Sequence, residues 1–351
     1  MYTINRKEII VISRGIANEK NGGNKTRYDL LKIFSELKIK VQTFSSLNNQ
    51  KSIIRIINMI RLIIFLFFKR NKFYIFIHPL IGEDKQIIRK LLYKFMLKKS
   101  NKTCALIMDL EYTRFKGLSY INYDIQSLKL FDYIIAHNTK MIDLLVENGL
   151  DRSKLFNLEM FDNLSNNKIE KQFLYSKTVV FAGNLEKSTF LNDLYKCTNI
   201  SYKLNLYGVG LTNKKLPSFV KYKGAFTTEE IINVLDGSFG LVWDGTSINT
   251  CSGFLGEYTK INNPGKFPLY IAAGLPVIAW KQSALADVVK KYNIGILIDS
   301  LNELDFALST ISEENYKTLS NNVLQLRKKV ISGYHYKKVL EDVIKRENIN
   351  A

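Results

Sequence analysis

The stretch FGLVWDGTSINTCSGFLGEYTKINNPGKFPLYIAAGLPVIAW, residues 239–280, decides how this chain folds. It predicts a buried strand over Phe239–Trp243, a polar glycine-rich loop, a short helix, and a second buried strand over Pro276–Trp280. Pro268 belongs in the first turn of that helix, because proline is not tolerated deeper inside one. Gly274 suits the position just past the helix end.

This placement puts Gly265 and Lys266 at the N-terminus of the helix. Free backbone N–H groups and the positive end of the helix dipole favour an anion there, and the lysine adds a full charge. A phosphate group is the anion we expect. The alternative is that Lys266 is a solvated lysine at a helix start, and the spacing does not decide between the two.

Short apolar strands alternate with helices along the rest of the chain. The predicted strands cover residues 8–13, 40–44, 73–78, 103–108, 133–137, 155–159, 178–182, 203–207, 219–222, 239–243, 276–280 and 294–298. Predicted helices cover residues 27–37, 53–68, 86–98, 140–148 and 228–235. Another helix is predicted to start at Ser188, and a further helix within residues 281–293 is predicted to be capped by Ser283. Such alternation is typical of parallel sheets covered by helices on both faces.

We therefore predict an α/β protein with two doubly wound, Rossmann-like domains of similar size. The first covers residues 1–160 and the second residues 161–322, with helices over 323–351 at the C-terminus, and the polar segment 161–177 is the linker. Ligands bind such sheets past the carboxyl ends of the strands, so two crevices are expected to face each other.

The charge balance narrows the class of ligand. The chain carries 51 Lys and Arg against 32 Asp and Glu, a net charge of +19, which attracts nucleic acid, anionic lipid or phosphorylated small molecules. The basic residues are spread along the chain, and no RNA-binding or helix-turn-helix signature accompanies them. We therefore expect no nucleic-acid partner.

Cysteine usage and hydropathy indicate the compartment. Three separated cysteines predict neither a disulfide framework nor a metal site, and the N-terminus lacks the apolar core of a signal peptide. The stretch 53–68 is too short and too interrupted by polar residues to span a bilayer, so it docks in a core or lies on a membrane surface. We predict a cytoplasmic protein, with peripheral contact at the inner face of the membrane as a further expectation.

Two strand-to-helix loops carry glycines. In the first half, Gly22, Gly23 and Asn24 lie between the first strand and the first helix, where glycine lets a ligand approach the backbone. The spacing is not G-x-G-x-x-G, so a nicotinamide cofactor is disfavoured, and a plain turn is the alternative.

The second loop is FAGNLEKS, residues 181–188. Gly183 and Asn184 follow a strand, and Lys187 stands where the next helix is expected to start, beside a candidate phosphate position. We predict that Lys187 and Lys266 approach one diphosphate from two loops.

Candidate acid–base residues lie in MDLEYTRF, residues 108–115. Asp109 and Glu111 follow a predicted strand, so a carboxylate there is placed to take a proton from an acceptor hydroxyl. The alternative is that Asp109 caps the following turn or pairs with Arg114. His137 also ends a strand, and we expect it to be a hydrogen-bonded structural histidine.

Polar residues around the central loop complete the candidate donor site. Asp244, Glu257 and Tyr258 flank this loop, and a carboxylate near Lys266 either holds a sugar or ribose hydroxyl or orders the loop. Two further candidate contacts are Tyr207, at the end of a strand, and Asn263, close to Lys266.

These motifs resemble GT-B glycosyltransferases. They are most similar to the bacterial family that contains the glucosyltransferase extending O-glycans on serine-rich adhesins and the β-1,6-galactofuranosyltransferase-like proteins. The resemblance rests on MDLEYTRF, IIAHNTKMIDLLVENGL, LEMFD, FAGNLEKS and residues 239–280, and it runs from Glu8 to about Tyr336.

The resemblance implies a UDP-sugar donor held mainly by the C-terminal domain, an acceptor on the N-terminal domain, and no metal or other cofactor. It implies that Lys187 and Lys266 contact the diphosphate, that the loop Gly22–Lys25 faces the donor, and that the helices over 323–351 cross back to the first domain. Family members commonly read NNPHK where this chain has NNPGK, so Gly265 departs from the pattern.

The expected reaction is transfer of a hexose, glucose or galactofuranose, to a hydroxyl of a glycan on protein, polysaccharide or lipid. A non-catalytic sugar-nucleotide-binding subunit of a glycosylation complex is the alternative. With either function, the protein is a candidate homo-oligomer.

Overall fold

The computed structural model of this chain describes residues 8–14, 22–44, 57, 60–62, 64–65, 72–79, 101–167, 174–211 and 215–350. The chain divides into two compact units. The first contains Met1–Glu19, Arg27–Glu159 and His335–Ala351, and the second contains Lys20–Thr26 and Met160–Tyr334.

The first unit is built on a parallel sheet. Its strands are β1 (Ile9–Arg14), β2 (Lys40–Phe44), β3 (Phe73–His78), β4 (Lys102–Ile107), β5 (Tyr133–Ala136) and β6 (Leu155–Asn157). The helices between them include α1 (Gly22–Glu36), α2 (Glu111–Lys116), α3 (Ile121–Leu128) and α4 (Thr139–Glu147). The sheet has six strands in the order β2-β1-β3-β4-β5-β6, and every pairing is parallel.

The second unit repeats the plan. Its strands are β7 (Thr178–Ala182), β8 (Lys203–Tyr207), β9 (Val220–Gly224), β10 (Phe239–Val242), β11 (Val277–Trp280) and β12 (Gly295–Ile298). The helices are α5 (Ile231–Val234), α6 (Gly253–Tyr258), α7 (Lys266–Ala272), α8 (Leu285–Tyr292), α9 (Leu304–Ser309) and α10 (Glu313–Val330). The six strands are ordered β12-β11-β10-β7-β8-β9, again all parallel. The final helix, α11 (Tyr334–Asn350), follows.

Side chains of the second sheet alternate between two cores, as expected for a sheet covered on both faces. Along β7, Val179 and Phe181 pack into one apolar cluster with Trp243, whereas Val180 and Ala182 pack into another with Tyr270. Neither face of this sheet is therefore left to solvent.

The α/β fold and all twelve predicted strands are confirmed, with ends that differ by at most two residues from the prediction. The helix predicted over 86–98 lies outside the described residues, as does most of the stretch 53–68. Among the described residues, no helix has the length and apolar character that crossing a bilayer requires.

Three local predictions were wrong. Helix α1 begins at Gly22, five residues earlier than predicted, and Gly253–Tyr258 forms a helix where a loop was expected. Ser283 does not cap α8, because its hydroxyl donates to the carbonyl of Trp280 (2.6 Å). The segment from Thr189 to Lys196 forms a 3-10 helix.

Arg327 of α10 stabilises the C-terminal end of α7. Its buried guanidinium donates from Nε to the carbonyl of Ala272 (2.7 Å), at the last residue of α7, and from Nη2 to the carbonyl of Asn167 (2.5 Å). The last carbonyls of a helix have no partner within the helix, so a side-chain donor there stabilises its end.

Replacing Arg327 with methionine is expected to lower the free energy of unfolding of the second unit by about 2 kcal/mol, because the carbonyls of Ala272 and Asn167 lose a charged donor. Arg327→Lys should restore only part of this loss, since an ammonium group lacks the planar fork that serves both carbonyls. Urea unfolding followed by circular dichroism measures both variants. The neighbouring Lys328→Ala is the control, and an equal loss there would contradict the assigned role.

Candidate active site

The order of strands in the second sheet reverses between β7 and β10. The chain leaves β7 toward β8 and β9 on one side, and leaves β10 toward β11 and β12 on the other. Such a switch point opens a crevice at the carboxyl ends of the strands, where open α/β sheets bind ligands. The loop after β7, the loop after β10 and the start of α7 come together here.

Lys266 lies at this switch point, between the residues that follow β7 and β10. Its Nζ is 5.2 Å from the centroid of the Phe181 ring, and its side chain is 16% exposed. The alkyl stem passes over Gly183, where a Cβ atom would come within 3.1 Å of the lysine Cε. The glycine after β7 therefore makes room for the lysine that approaches from α7.

Asp244, just after β10, neutralises this lysine. Its Oδ1 is 2.7 Å from Nζ of Lys266, and the carboxylate side chain is 24% exposed. The sequence left two roles for the carboxylate, and in this structure it forms an ion pair with the predicted phosphate-binding residue. The charge pair is accessible, so an anionic ligand can reach it.

Helix α7 starts and ends as the sequence predicted. It begins at Lys266, Pro268 lies in its first turn, and Gly274 beyond its end has a φ of +77°. With only seven residues its dipole is weak, so the lysine side chain is the main positive charge at this end. Gly265 has a φ of −64°, and the nearest atom to a Cβ there is Thr26 Oγ1 at 3.9 Å, so a Cβ atom fits without strain.

The turn after β7 is ordered by its own polar groups. Asn184 Oδ1 accepts a hydrogen bond from the backbone N–H of Lys187 (3.0 Å), and the Ser188 hydroxyl donates to the Asn184 carbonyl (2.9 Å). The side chain of Lys187 is exposed on this turn. Lys187 and Gly183, which contacts Lys266, therefore belong to one short turn.

Gly22, Gly23 and Asn24 form the first turn of α1, where the sequence predicted a loop. The following Lys25 donates from Nζ to the carbonyl of Leu164 (3.0 Å), a contact inside the second unit. The predicted contact of this segment with a donor stays a prediction.

Tyr270 is a residue of this site that sequence reasoning missed. Its buried hydroxyl accepts from the Ala182 N–H (2.8 Å) and donates to the Leu241 carbonyl (3.2 Å), which joins the ends of β7 and β10. Its ring fills the space over Gly240, where a Cβ would lie 2.2 Å from a ring carbon. A glycine inside a predicted strand indicates that another group approaches the backbone closely. Gly240 was therefore the sign in the sequence that a large side chain packs on this strand.

Three predicted donor contacts have buried side chains: Tyr207, Tyr258 and Asn263 are 1%, 1% and 6% exposed. The Tyr207 hydroxyl donates to the Val234 carbonyl (3.1 Å) and accepts from the Asp236 N–H (3.0 Å), so it orders the segment before β10. Their contact with a donor stays a prediction.

Glu257 is engaged in an ion pair. Its Oε2 lies 2.6 Å from Nζ of Lys260, three residues further along. This contact orders the surface beside α6, and it does not involve Lys266.

Asp109 lies at the carboxyl end of β4 in the first unit, as predicted. Its Oδ2 is 2.5 Å from Nη1 of Arg114, and the two side chains are 31% and 34% exposed. The pairing that the sequence offered as an alternative is therefore formed, while the carboxylate remains accessible. Glu111, in the first turn of α2, is only 9% exposed.

His137 is a buried histidine, 1% exposed, at the end of β5. Burial, with a smaller contribution from the nearby positive charge of Arg114, outweighs the backbone hydrogen bonds of this ring and lowers the pKa of its imidazole to about 3. The ring is therefore neutral at physiological pH.

This depressed pKa makes the first unit sensitive to acid. The unfolded chain protonates His137 below its ordinary pKa of 6.5, whereas the folded protein does so only near 3, so its contribution to stability is lost as pH falls between these values. Compared with His137→Gln, the wild type should lose up to about 1.4 kcal/mol of unfolding free energy per pH unit in this window. Urea unfolding at about pH 6.5, 5.5 and 4.5 measures the difference in unfolding free energy between the wild type and His137→Gln. A difference that stays constant with pH would contradict the lowered pKa of His137.

Nucleophilic cysteine chemistry has no support in the described residues. Burial raises the pKa of Cys251 to about 12 and raises the pKa of Cys104 as well, so both thiols stay protonated. Cys104 is buried within β4. No group of three or more His, Cys, Asp or Glu side chains is placed to hold a metal ion within the described part of the chain.

Solved structures share this architecture. The lipopolysaccharide outer core galactosyltransferase WaaB in its apo form superimposes with a TM-score of 0.60 at 11% identity, covering 96% of this chain and 99% of that one. The Anabaena protein HepE in complex with UDP and glucose gives the same score, identity and coverage. The fold is that of the GT-B glycosyltransferases.

Sequence comparison gives the particular family. Models described as the N-terminal and C-terminal domains of Glucosyltransferase 3-like proteins match residues 9–160 and 179–343. The β-1,6-galactofuranosyltransferase WbbI of Escherichia coli K12 is 35% identical over 246 residues, covering 68% of this chain and 70% of its own. Glucosyltransferase 3 of Streptococcus gordonii is 28% identical over 61% of each chain. The chain belongs to the Glucosyltransferase 3-like family and is a glycosyltransferase.

Proposed function

We propose that this enzyme transfers a hexose from a UDP-sugar to a hydroxyl group of a glycan acceptor, and that the second unit binds the donor. The observation that carries the proposal is Lys266, an accessible cation at the switch point of the second sheet, 2.7 Å from its carboxylate partner. Two relatives named for hexose transfer, and a fold neighbour solved with UDP and glucose, support the donor class.

The diphosphate is the part of the donor that requires this cation. Breaking the bond between the sugar C1 and the phosphate oxygen leaves the electron pair, and a developing negative charge, on UDP. Lys266 neutralises that charge, with Lys187 as a second cation from the turn after β7, and the low exposure of Lys266 (16%) strengthens its interaction. Protein cations take the place of a metal ion in this proposal.

Asp109 is our candidate for the general base. Its carboxylate takes the proton of the acceptor hydroxyl as the oxygen of that group forms the new bond to the sugar C1. Arg114 holds the carboxylate in position. Contact with a membrane surface and self-association stay predictions from the sequence.

A ligand panel tests the donor class. UDP present at about a hundred times its Kd stabilises a protein by about 2.7 kcal/mol, which raises Tm by several degrees, and we expect UDP to exceed GDP and TDP in this effect. Transfer from UDP-glucose and UDP-galactofuranose to glycosides, assayed with and without EDTA, then tests catalysis. Larger shifts with GDP or TDP, or complete loss of transfer in EDTA, would overturn the donor or the metal-free part of the proposal.

Asp109→Asn tests the base. The variant keeps the side-chain shape but cannot accept the proton, so transfer should fall while the UDP-induced rise in Tm persists. Wild-type rates in this variant would exclude Asp109 as the base.

A further inference from the structure

A group of aromatic rings, three of them exposed and one buried, follows Asp109 in the first unit, and the donor-site chemistry does not use it. We propose that this group, Tyr112, Phe115, Tyr120 and Tyr123, here called the aromatic platform, binds a sugar ring of the glycan acceptor. The proposal rests on the proposed function, because it gives that acceptor a binding surface.

The tyrosine rings of the aromatic platform form a near-parallel series. The centroids of Tyr112 and Tyr123 are 5.2 Å apart with 24° between the ring planes, and those of Tyr120 and Tyr123 are 5.8 Å apart with 27° between them. Tyr112 is buried at 5% exposure, whereas Tyr120 and Tyr123 are 40% and 41% exposed. A buried ring thus anchors two rings that present surface to solvent.

Cations connect these rings to Asp109. Lys116 Nζ lies 5.3 Å from the ring centroid of Tyr112 and 5.9 Å from that of Tyr120. Arg114, the ion-pair partner of Asp109, lies 5.2 Å from the ring centroid of Phe115, which is 47% exposed. Arg114 therefore contacts both the candidate base, Asp109, and one ring of the aromatic platform, Phe115.

A buried carboxylate joins α2, which carries Tyr112 and Phe115, to α3, which carries Tyr123 and directly follows Tyr120. Asp124 of α3 is 0% exposed, and it accepts hydrogen bonds from the Thr113 N–H (2.9 Å), the Thr113 hydroxyl (2.9 Å) and the Tyr112 N–H (3.4 Å). It thereby caps the first turn of α2 from the neighbouring helix. The rings are held before any ligand arrives, which reduces the ordering cost of binding.

The chemistry of the surface fits a saccharide. One face of a pyranose ring carries C–H groups that pack on an aromatic ring, and the hydroxyls at its edge need polar partners. Tyrosine offers an apolar ring with a polar tip, and Lys116 adds a donor beside two of the rings. The platform also follows β4 at the carboxyl edge of the sheet, where α/β sheets bind ligands.

A bilayer surface is a poorer match. Insertion needs an amphipathic helix with a continuous apolar face turned outward. Helix α2 has six residues, and the aliphatic residues Ile121, Ile125 and Leu128 of α3 are buried in the first unit. The segment offers isolated rings to a ligand and no aliphatic face to lipid.

The double variant Tyr120→Ala, Tyr123→Ala tests the proposal. We expect the acceptor KM for methyl glycosides of one to three sugar units (about the reach of the platform) to rise roughly tenfold, as the loss of aromatic contacts implies. The UDP-induced rise in Tm should stay the same, because the donor site is in the second unit. Tyr123→Phe keeps the ring and loses only the hydroxyl, so it should raise the acceptor KM less than the double variant does.

Tyr195→Ala is the matched control. This tyrosine is 68% exposed and has Lys196 5.7 Å from its ring centroid, so it has the same chemistry outside the aromatic platform. An acceptor KM that the double variant leaves unchanged would overturn the proposal. Co-sedimentation with anionic vesicles that is lost in the double variant, with acceptor KM unchanged, would assign the surface to membrane binding instead.

Saturation-transfer NMR with the same methyl glycosides separates this proposal from the proposed function, because it needs no turnover. Glycoside signals that weaken in the double variant support the platform even where no sugar is transferred. Absence of both UDP binding and transfer would instead reject the proposed function. Equal signals in the wild type and the double variant would reject the platform alone.

Discussion

Replacing Lys266 with alanine is expected to lower kcat at least roughly a hundredfold, the scale on which enzymes lose activity when one preorganised partner of a developing negative charge is removed. Lys266 lies in the crevice of the second sheet at 16% exposure, so its charge is less screened than that of a surface lysine. The substitution also leaves the Asp244 carboxylate to repel the diphosphate. UDP-induced stabilisation, measured by thermal shift, should fall with kcat.

Controls separate loss of charge from loss of fold. Lys260→Ala removes another paired lysine six residues earlier, whose partner Glu257 is 2.6 Å away, and should leave both measurements unchanged. Adding Asp244→Asn to Lys266→Ala should recover part of the UDP binding, because it removes the repulsive carboxylate. Wild-type rates of sugar transfer by Lys266→Ala would exclude Lys266 as the residue that neutralises the diphosphate charge.

Tyr270→Ala is expected to give the largest loss of stability, about 3–5 kcal/mol for the second unit, because it removes a fully buried ring and leaves a cavity. The same change leaves the Ala182 N–H without the hydroxyl that now accepts its hydrogen bond at 2.8 Å. Tyr270→Phe keeps the ring and loses only the hydroxyl, so about 1–3 kcal/mol is expected. Urea unfolding curves of the three proteins give both values.

The exposed Tyr195 again provides the control, since Tyr195→Ala should change the free energy of unfolding by no more than about 0.5 kcal/mol. Because Tyr270 joins the ends of β7 and β10, its loss should also weaken UDP binding. A Tyr270→Phe variant as stable as the wild type would show that the two hydrogen bonds contribute nothing net.

Strand positions could be predicted from the sequence because both sheets are covered on two faces. A buried strand such as Val277–Trp280 must then be apolar along its whole length, and such runs are easy to find. The start of α7 was predictable for a different reason. Pro268 and Gly274 restrict the backbone at both ends of that helix, so the place of Lys266 followed from chain geometry alone.

Contacts between distant segments could not be predicted in the same way. The ion pair of Asp244 and Lys266 joins residues 22 positions apart, and the Tyr270 hydroxyl reaches a residue 88 positions away. Such pairs depend on which strands become neighbours, and composition does not reveal this order. Helix α6 was missed because its two glycines, Gly253 and Gly256, favour a loop in any local assessment.

The ion pair at the switch point has a consequence for which anions the crevice accepts. Asp244 is an internal counter-ion, so an incoming anion competes with a carboxylate that is already 2.7 Å from the amine. An ion with a single charge, such as chloride or acetate, gains little from that exchange, whereas a diphosphate offers several oxygens and more than one charge. In the proposed mechanism, the same competition acts in reverse after the reaction, because Asp244 then competes with the UDP product for Lys266.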